Sequence, residues 1–243
     1  MAVGPENTVY AHNDDYGIVY QVRLDEGEVV RAFALGDPTI ERDFEGIEVV
    51  GERVYLLTRQ GRIYDALIGE NKTRVKYNAD DTRAGDFCET DGLTLGPPAD
   101  DGSATFLILC KTPKRKTPKE KVSKDRVRIY RWSLHARRPV QTPWLDVARE
   151  DLKDGKPKNF TPSGLAWSQE YQQLFIISAK AQRYASLRRG GQVLQKSALP
   201  KKTHPQAEGI TITPAGDLVI ADEAQRNNAP QLTLYAAAPK GLN

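Results

Sequence analysis

An internal repeat of two short β-prone runs constrains the fold of this chain more than any other feature. The second run of each pair ends in polar or charged residues and occurs five times: TVYAHND (8–14), RVYLLTR (53–59), TFLILCK (105–111), QLFIISAK (173–180) and DLVIADE (217–223). Four copies are preceded by a run that opens with an acidic or small residue and Gly: FEGIEVV (44–50), TDGLTLG (90–96), PSGLAWS (162–168) and AEGITIT (207–213). Turn residues separate the two runs, as at 51–52 and 214–217, so each pair predicts a β-hairpin.

A third β-prone run follows most of these hairpins, as in GIVYQVRL (17–24), GRIYDALI (61–68), VRIYRWSL (127–134) and QLTLYAAA (231–238). Units of three or four short strands that recur about five times are typical of an all-β β-propeller. A β-sandwich would not require the same Gly-centred motif in every unit, and no long 3.6-residue apolar period predicts the helices of a parallel α/β fold. The sequence therefore predicts a five-bladed propeller, with six blades as the alternative if a degenerate unit lies in 135–161. We expect one domain, with blade units near 1–36, 37–79, 88–146, 160–200 and 205–238.

The first unit departs from the pattern, because only the residues before Gly4 stand where its innermost strand is expected. We infer that the first blade is truncated and that the chain is shorter at its N-terminus than its natural parent. The first residues also lack the basic end and apolar centre of a secretory signal, and no apolar run approaches the roughly 20 residues that span a bilayer.

The net charge of +3 comes from one segment. Residues 111–128 (KTPKRKTPKEKVSKDRVR) hold nine Lys or Arg and two Asp or Glu, which leaves 26 bases and 30 acids for the rest of the chain. The sequence thus predicts a weakly acidic propeller with a basic loop at 111–126. Nucleic acid is an unfavoured partner because this segment has no aromatic residue for stacking on bases. A solvated loop is the favoured interpretation, and weak contact of 111–128 with an anionic surface is the alternative.

Three segments, FEGIEVVGERVYLLTRQGRIY (44–64), PSGLAWSQEYQQLFIISAK (162–180) and QAEGITITPAGDLVIADE (206–223), resemble the SdiA-regulated family of bacterial β-propellers, relatives of the phytase-like esterase propellers. The resemblance implies a propeller that is periplasmic or membrane-anchored in the parent protein, although a cytoplasmic location stays open for a chain without a signal peptide. It also implies binding of a divalent cation, and it implies no known reaction.

The predicted hairpins bring charged residues to one face, because the start of an innermost strand and the end of its antiparallel neighbour emerge together. That face collects Asp14, Asp15, Glu45, Arg59, Asp91, Lys111, Ser163, Lys180, Glu208, Asp222 and Glu223, with His12 and His204 nearby. Converging carboxylates are costly to leave ionised unless a cation or a base compensates them. Because hard cations prefer oxygen ligands, we expect Ca²⁺, or Mg²⁺ as the alternative, held by Asp14, Glu45, Asp91 and Glu208. The competing interpretation pairs Glu45 with Arg59 and Asp91 with Lys111, each within its own hairpin.

Other residues of this face are candidates for ligand binding or catalysis. Those that suit a polar or charged ligand are Arg59, Lys111, Lys180, Asp222 and Glu223. His12 and His204 are candidates for a general base or a metal ligand, although ordinary loop histidines are more common. Ser163 lacks the G-x-S-x-G elbow of a nucleophile, and Cys88 and Cys110 lack metal-ligand spacing.

These observations predict a monomeric, cation-binding propeller that binds a small molecule or a protein partner on the charged face around its central channel. The alternative is a metal-dependent hydrolase acting on a phosphoester, ester or lactone, with the cation polarising the substrate. The fold does not decide between them, since propellers support many unrelated functions.

Overall fold

Short strands that are apolar on both faces form five small sheets in this chain, as the computed structural model shows. It describes residues 1–114, 125–152, 160–224 and 229–236. The first sheet contains β1 (Ala2–Val3), β2 (Thr8–His12), β3 (Ile18–Arg23), β4 (Glu28–Leu35) and β8 (Arg74–Val75). The second contains β5 (Phe44–Val50), β6 (Arg53–Thr58), β7 (Arg62–Leu67) and β9 (Tyr77–Asp81).

The remaining sheets follow in chain order after a short 3-10 helix at Ala84–Asp86. The third contains β10 (Cys88–Leu95), β11 (Thr105–Pro113), β12 (Arg126–Ser133) and β13 (Leu145–Ala148). The fourth contains β14 (Gly164–Ser168), β15 (Gln173–Ser178), β16 (Arg183–Arg188) and β17 (Val193–Ala198). The fifth contains β18 (Ala207–Ile212), β19 (Leu218–Asp222) and β20 (Gln231–Tyr235).

The sheets form a ring around a central channel. The innermost strands contact one another in the order β1, β5, β10, β14 and β18, and β18 contacts β1 again. This arrangement confirms the predicted five-bladed β-propeller. In the described part of 135–161, the strand β13 belongs to the third sheet, so the alternative with six blades is wrong for these residues.

The hydrophobic core lies between neighbouring sheets, and this explains why the central residues of the second strand of each repeat are apolar. In β6, Val54 and Leu56 pack against the first sheet, whereas Tyr55 and Leu57 pack against the third. These four side chains are all buried because a sheet in a ring has a neighbour on both faces. A continuous apolar run is therefore the expected pattern for this position in a propeller.

The glycine of the repeated motif allows the innermost strands to approach one another. A Cβ atom at Gly46 would lie 2.7 Å from the backbone nitrogen of Leu93 in the next sheet. A Cβ atom at Gly164 would lie 2.7 Å from the backbone oxygen of Glu208. Any larger residue would push neighbouring strands apart at the channel wall, which explains why the motif recurs.

The acidic residue before this glycine lies in a β-bulge. The register between β5 and β6 shifts between Phe44 and Gly46, which leaves Glu45 as the extra residue. Glu208 is likewise the extra residue between Ala207 and Gly209 of β18, and Asp91 lies in the irregular stretch of β10. The pairing of β14 with β15 has no such shift, and Ser163 stands there in place of an acid. Bulges redirect a side chain, so these positions present their carboxyl groups differently from the rest of the strand.

The boundaries of the basic loop differ from the sequence prediction. Lys111 lies inside β11, which continues to Pro113, and β12 already begins at Arg126. Pairing with the outer neighbours explains this extension, because β11 pairs with β10 as far as Pro113 opposite Cys88, and β12 pairs with β13 from Arg126 opposite Ala148. Residues 115–124 of the predicted loop lie outside the described residues. Across the parts of the chain that are described, no helix is long and apolar enough to cross a membrane.

Cys88 and Cys110 form a disulfide between β10 and β11. Their Cα atoms are 5.7 Å apart, and both residues are buried in the core between the second and third sheets. The sequence alone predicts no pairing of these two cysteines, because their spacing carries no signal for a disulfide. The bridge joins the innermost strand of the third sheet to its neighbour β11, at the residue directly before Lys111.

Candidate functional site

Charged side chains from four sheets meet at one end of the channel, where the innermost strands begin. We call this end the charged mouth and define it by Asp14, Glu45, Arg59, Asp91, Lys111, Glu208 and Glu223. Three of the acids come from the bulged innermost strands, and the other residues come from the ends of second strands or the residues just after them. The structure thus brings together all four predicted cation ligands with two predicted bases.

Lys111 is the base nearest the centre of the charged mouth. Its ammonium group forms an ion pair with Oδ2 of Asp91, whose side chain is almost fully buried. Burial lowers the pKa of Lys111, but the attraction of Asp91, Glu208 and Glu45 outweighs it, so the pKa is raised overall. Lys111 therefore carries a positive charge at neutral pH that three carboxyl groups share.

Arg59 is the second base of the charged mouth. Its Nε and Nη2 donate hydrogen bonds of 2.8 and 2.5 Å to Oε1 of Glu45, and Nε also lies 2.9 Å from Oδ2 of Asp43. The two ion pairs of the competing interpretation, Glu45 with Arg59 and Asp91 with Lys111, are therefore both present. Burial and the repulsion of Asp91 nevertheless raise the pKa of Glu45 to about 7, against the hydrogen bond from Arg59.

Asp14, Glu208 and Glu223 form the part of the charged mouth that lacks a basic partner within the described residues. Burial and contact with the Glu223 carboxyl raise the pKa of Asp14 to about 7. Burial and repulsion by Asp91 raise the pKa of Glu208 to about 8, although Lys111 acts in the opposite direction. The side-chain amide of Gln206 donates hydrogen bonds of 2.8 Å to Glu208 and 3.4 Å to Glu223.

The charged mouth therefore holds protons near neutral pH. Three of its carboxyl groups have pKa values of about 7 or 8, so they exchange protons in the range where most proteins keep carboxyl groups ionised. Such a cluster suits a cation that replaces the protons, and it also suits proton transfer to a bound molecule. In the described ranges, no three Asp, Glu, His or Cys residues are placed closely enough to hold a metal ion as they stand. Cation binding thus stays a prediction.

His204 and Asp222 lie beneath this surface and contact each other. Nδ1 of His204 lies 2.7 Å from Oδ2 of Asp222, and Nε2 lies 2.7 Å from the hydroxyl of Tyr235. The other carboxylate oxygen of Asp222 accepts a hydrogen bond of 2.9 Å from the backbone of Gln206. These buried contacts tie the loop before β18 to β19 and β20, and they occupy both nitrogens of the histidine.

The remaining candidates are placed differently from one another. Burial, together with the nearby amino group of Met1, lowers the pKa of His12 to about 4, which makes its imidazole neutral and weakly basic at pH 7. Ser163 donates a hydrogen bond of 2.8 Å to the backbone oxygen of Ala207, so it links the fourth and fifth sheets. Lys180 is exposed in the turn after β15 and forms no ion pair with a described residue.

Sequence reasoning missed two residues that contact the charged mouth. Asp43 lies two positions before Glu45, and Gln206 lies two positions before Glu208, so both immediately precede the bulged motif. Their position relative to the motif is a usable signal, because a bulge brings the residues on either side of it towards the same edge.

A family model and a solved structure of a luciferin-regenerating enzyme support the fold. The family model described as SdiA-regulated matches residues 150–233, or 84 of 243 residues, which confirms the predicted resemblance over that segment. A luciferin-regenerating enzyme is similar in structure, with a TM-score of 0.53 and 9% identity over 96% of this chain and 88% of that one. A protein of unknown function from Bacteroides caccae matches with a TM-score of 0.46 and 9% identity, covering 89% of this chain and 65% of that one. No curated protein sequence matches the chain.

Proposed function

We propose that this propeller binds a ligand at the charged mouth with the help of a divalent cation. The cation is Ca²⁺, with Mg²⁺ as the alternative, and it replaces protons that the carboxyl groups hold near neutral pH. The observation that carries the proposal is the excess of acid over base at the end of the channel, where three neighbouring carboxyl groups have pKa values of about 7 or 8. Arg59 and Lys111 neutralise part of the negative charge of these acids. A bound cation would neutralise the remainder.

The carboxyl groups differ in how readily they can bind a cation. Glu45 and Asp91 already contact Arg59 and Lys111, so ligation by them requires these ion pairs to rearrange. Asp14 and Glu208 have no such partner among the described residues and lie at the seam between the first and fifth sheets. We therefore assign Asp14 and Glu208 as the first ligands, with Glu223 beside them, and Glu45 and Asp91 as later ones.

Side-chain rotation is part of this proposal, since the carboxyl groups are not arranged around an ion as they stand. Asp14 and Glu223 contact each other, which is favourable only while a proton lies between them. Once that proton leaves, repulsion separates the two groups unless a cation holds them together. Hard cations with oxygen ligands, Ca²⁺ in particular, tolerate the irregular coordination that such a flexible set provides.

Calorimetric titration with CaCl₂ and with MgCl₂ at pH 8 tests the proposal. The parent protein should bind one of the two cations, and Glu208→Gln should weaken that binding at least about tenfold, because hydrogen-bonding and charge at one ligand are both reduced. Glu170→Gln is the matched control, since Glu170 is exposed in the turn after β14, at the other end of the channel. Absence of binding in the parent protein at pH 8 would show that the cation is not part of the function.

A metal-dependent hydrolase is the second candidate function. The observation that favours it is the Glu208 carboxyl, whose pKa of about 8 next to the Lys111 ammonium is suited to general acid or base catalysis at neutral pH. Turnover of generic phosphoesters, esters or lactones that is lost with EDTA and in Glu208→Gln would support it. Cation binding without any such turnover would leave the chain as a binding protein.

The disulfide bears on location and partners. Disulfides persist in oxidising compartments, so Cys88–Cys110 supports the periplasmic or membrane-anchored location that the family resemblance implies. The ligand in this proposal is a small molecule or an exposed group of a protein partner. The alternative contact of 111–128 with an anionic surface involves residues outside the described ranges and remains a prediction.

A further inference from the structure

The other end of the channel contains a cavity of about 390 Å³ that is separate from the charged mouth. Its walls come from all five sheets, because the innermost strands or the turns after them each contribute residues, from Val3 in β1 to Ile212 in β18. The loop between β10 and β11 overhangs one side through residues such as Pro98. A volume of this size falls in the range of cavities that bind small molecules.

Glu48 is the one charged residue among those that line the cavity. It is only 8% exposed, and its carboxylate accepts hydrogen bonds of 2.9 Å from the backbone of Val49 and 2.6 Å from the backbone of Leu95. These bonds fix the carboxylate in one orientation, but no Lys or Arg side chain lines the cavity to balance its charge. Burial accordingly raises the pKa of Glu48 in spite of the hydrogen bonds.

The amino group of Met1 is near enough to attract Glu48, but Met1 is not among the residues that line the cavity. The cavity therefore presents a fixed carboxylate that no basic group of its own lining balances.

The rest of the cavity wall combines apolar and aromatic side chains with the polar side chains of Thr94, Gln169 and Thr211. Leu95 and Ile212 contribute aliphatic surface, and Trp167 contributes an indole whose nitrogen donates a hydrogen bond of 3.0 Å to Gln169. An indole bonded in this way keeps its ring fixed, and aromatic rings attract organic cations. A single carboxylate within such a wall complements a molecule with one ammonium group and an apolar body.

We propose that this cavity is a second binding site, distinct from the charged mouth, for a small organic ammonium ion with Glu48 as its counter-ion. The apolar body of the ligand packs against Leu95, Ile212 and Trp167. The ammonium group donates hydrogen bonds to the Glu48 carboxylate, which has lone pairs in excess of its two backbone donors and the Thr94 hydroxyl.

Titration calorimetry with phenylethylammonium chloride tests the proposal, with 2-phenylethanol as the neutral probe of matched size. We expect saturable binding of the ammonium probe and at least about tenfold weaker binding of the alcohol, since hydrogen bonds to charged groups are the stronger ones. Glu48→Gln should reduce the affinity for the ammonium probe about tenfold and leave binding of the alcohol unchanged. Absence of saturation at ~10 mM, or equal affinity for the two probes, would overturn the proposal.

Two further variants separate this cavity from the acidic charged mouth, which also attracts cations. Glu208→Gln should leave binding of the ammonium probe unchanged; a loss in this variant and none in Glu48→Gln would place the probe at the wrong end of the channel. Leu95→Trp fills the cavity from its exposed edge and leaves Glu48 intact, so it should abolish binding of both probes while the melting temperature stays the same. Unchanged binding in Leu95→Trp would refute the site even if Glu48→Gln failed to fold.

Discussion

The affinity of the charged mouth for Ca²⁺ should rise steeply between pH 6 and pH 8. A carboxyl group must lose its proton before it ligates a cation, and the pKa values of Asp14 and Glu208 are about 7 and about 8. For these two groups together, protons weaken the apparent affinity about 1,000-fold at pH 6 but only about twofold at pH 8. The expected gain over this interval is therefore about 500-fold, or about 4 kcal/mol.

Glu208→Gln removes the group with the higher pKa, so only Asp14 should then contribute to the pH dependence. The gain between pH 6 and pH 8 should fall to about tenfold in this variant. Calorimetry in two buffers that differ in ionisation enthalpy counts the released protons directly. We expect about 1.4 protons per Ca²⁺ at pH 7 in the parent protein and about 0.5 in Glu208→Gln.

The control variant is Glu170→Gln, which should keep both the full pH dependence and the full proton release. A change of less than about threefold between pH 6 and pH 8 in the parent protein would refute the reasoning, as would binding without proton release. Retention of the 500-fold change in Glu208→Gln would show that a different carboxyl group holds the relevant proton.

Three further predictions concern stability. Gly164→Ala places a Cβ atom 2.7 Å from the backbone oxygen of Glu208 and should cost about 1–3 kcal/mol in urea unfolding, whereas Gly190→Ala, with no atom within 4 Å, should change little. Reduction of Cys88–Cys110 should lower the unfolding free energy by about 3 kcal/mol, and dithiothreitol should have no effect on the melting temperature of a double Cys→Ser variant. The three raised carboxyl pKa values make the folded state bind more protons than the unfolded state, so their stabilisation is complete below about pH 4 and is lost as the pH rises through 7 to 8. The melting temperature should accordingly fall from pH 6 to pH 9 in calorimetric scans, and a Ca²⁺-induced increase at pH 9 should accompany cation binding; a rise with pH would contradict the assignment.

The propeller could be predicted from sequence because each unit repeats the same local pattern. A second strand such as β6 is apolar at four consecutive positions, 54–57, and a run of this kind next to a Gly-centred run requires a neighbour on both faces. The parallel pairing of β8 with β4 in the first sheet could not be predicted in the same way. This pairing involves only two residues of β8, Arg74 and Val75. So short a pairing is determined by the packing of neighbouring residues rather than by the strand propensity of the two residues themselves.

The sequence predicts which residues meet at the candidate site. It does not predict which of the acids lack a basic partner. The alternation of strand directions brings Glu45, Arg59, Asp91 and Lys111 to one end of the channel, as the hairpin pattern indicates. Which acids lack a base depends on distances across the seams between sheets, and sequence spacing carries no information on these. The burial of His204 against Asp222 and Tyr235 was unpredictable for the same reason, since the three residues come from a loop and two strands.

The distribution of charge around the ring gives the charged mouth two unlike sides. Both of its bases come from the second and third sheets, where Arg59 and Lys111 contact the acids of their own hairpins. The fourth sheet contributes Ser163, which bonds to backbone and adds no charge. The acids without a basic partner among the described residues therefore lie at the seam where the fifth sheet meets the first. A cation at this seam faces the Lys111 ammonium across the channel, so a ligand that bridges the two sides must present an anionic or strongly polar group between them.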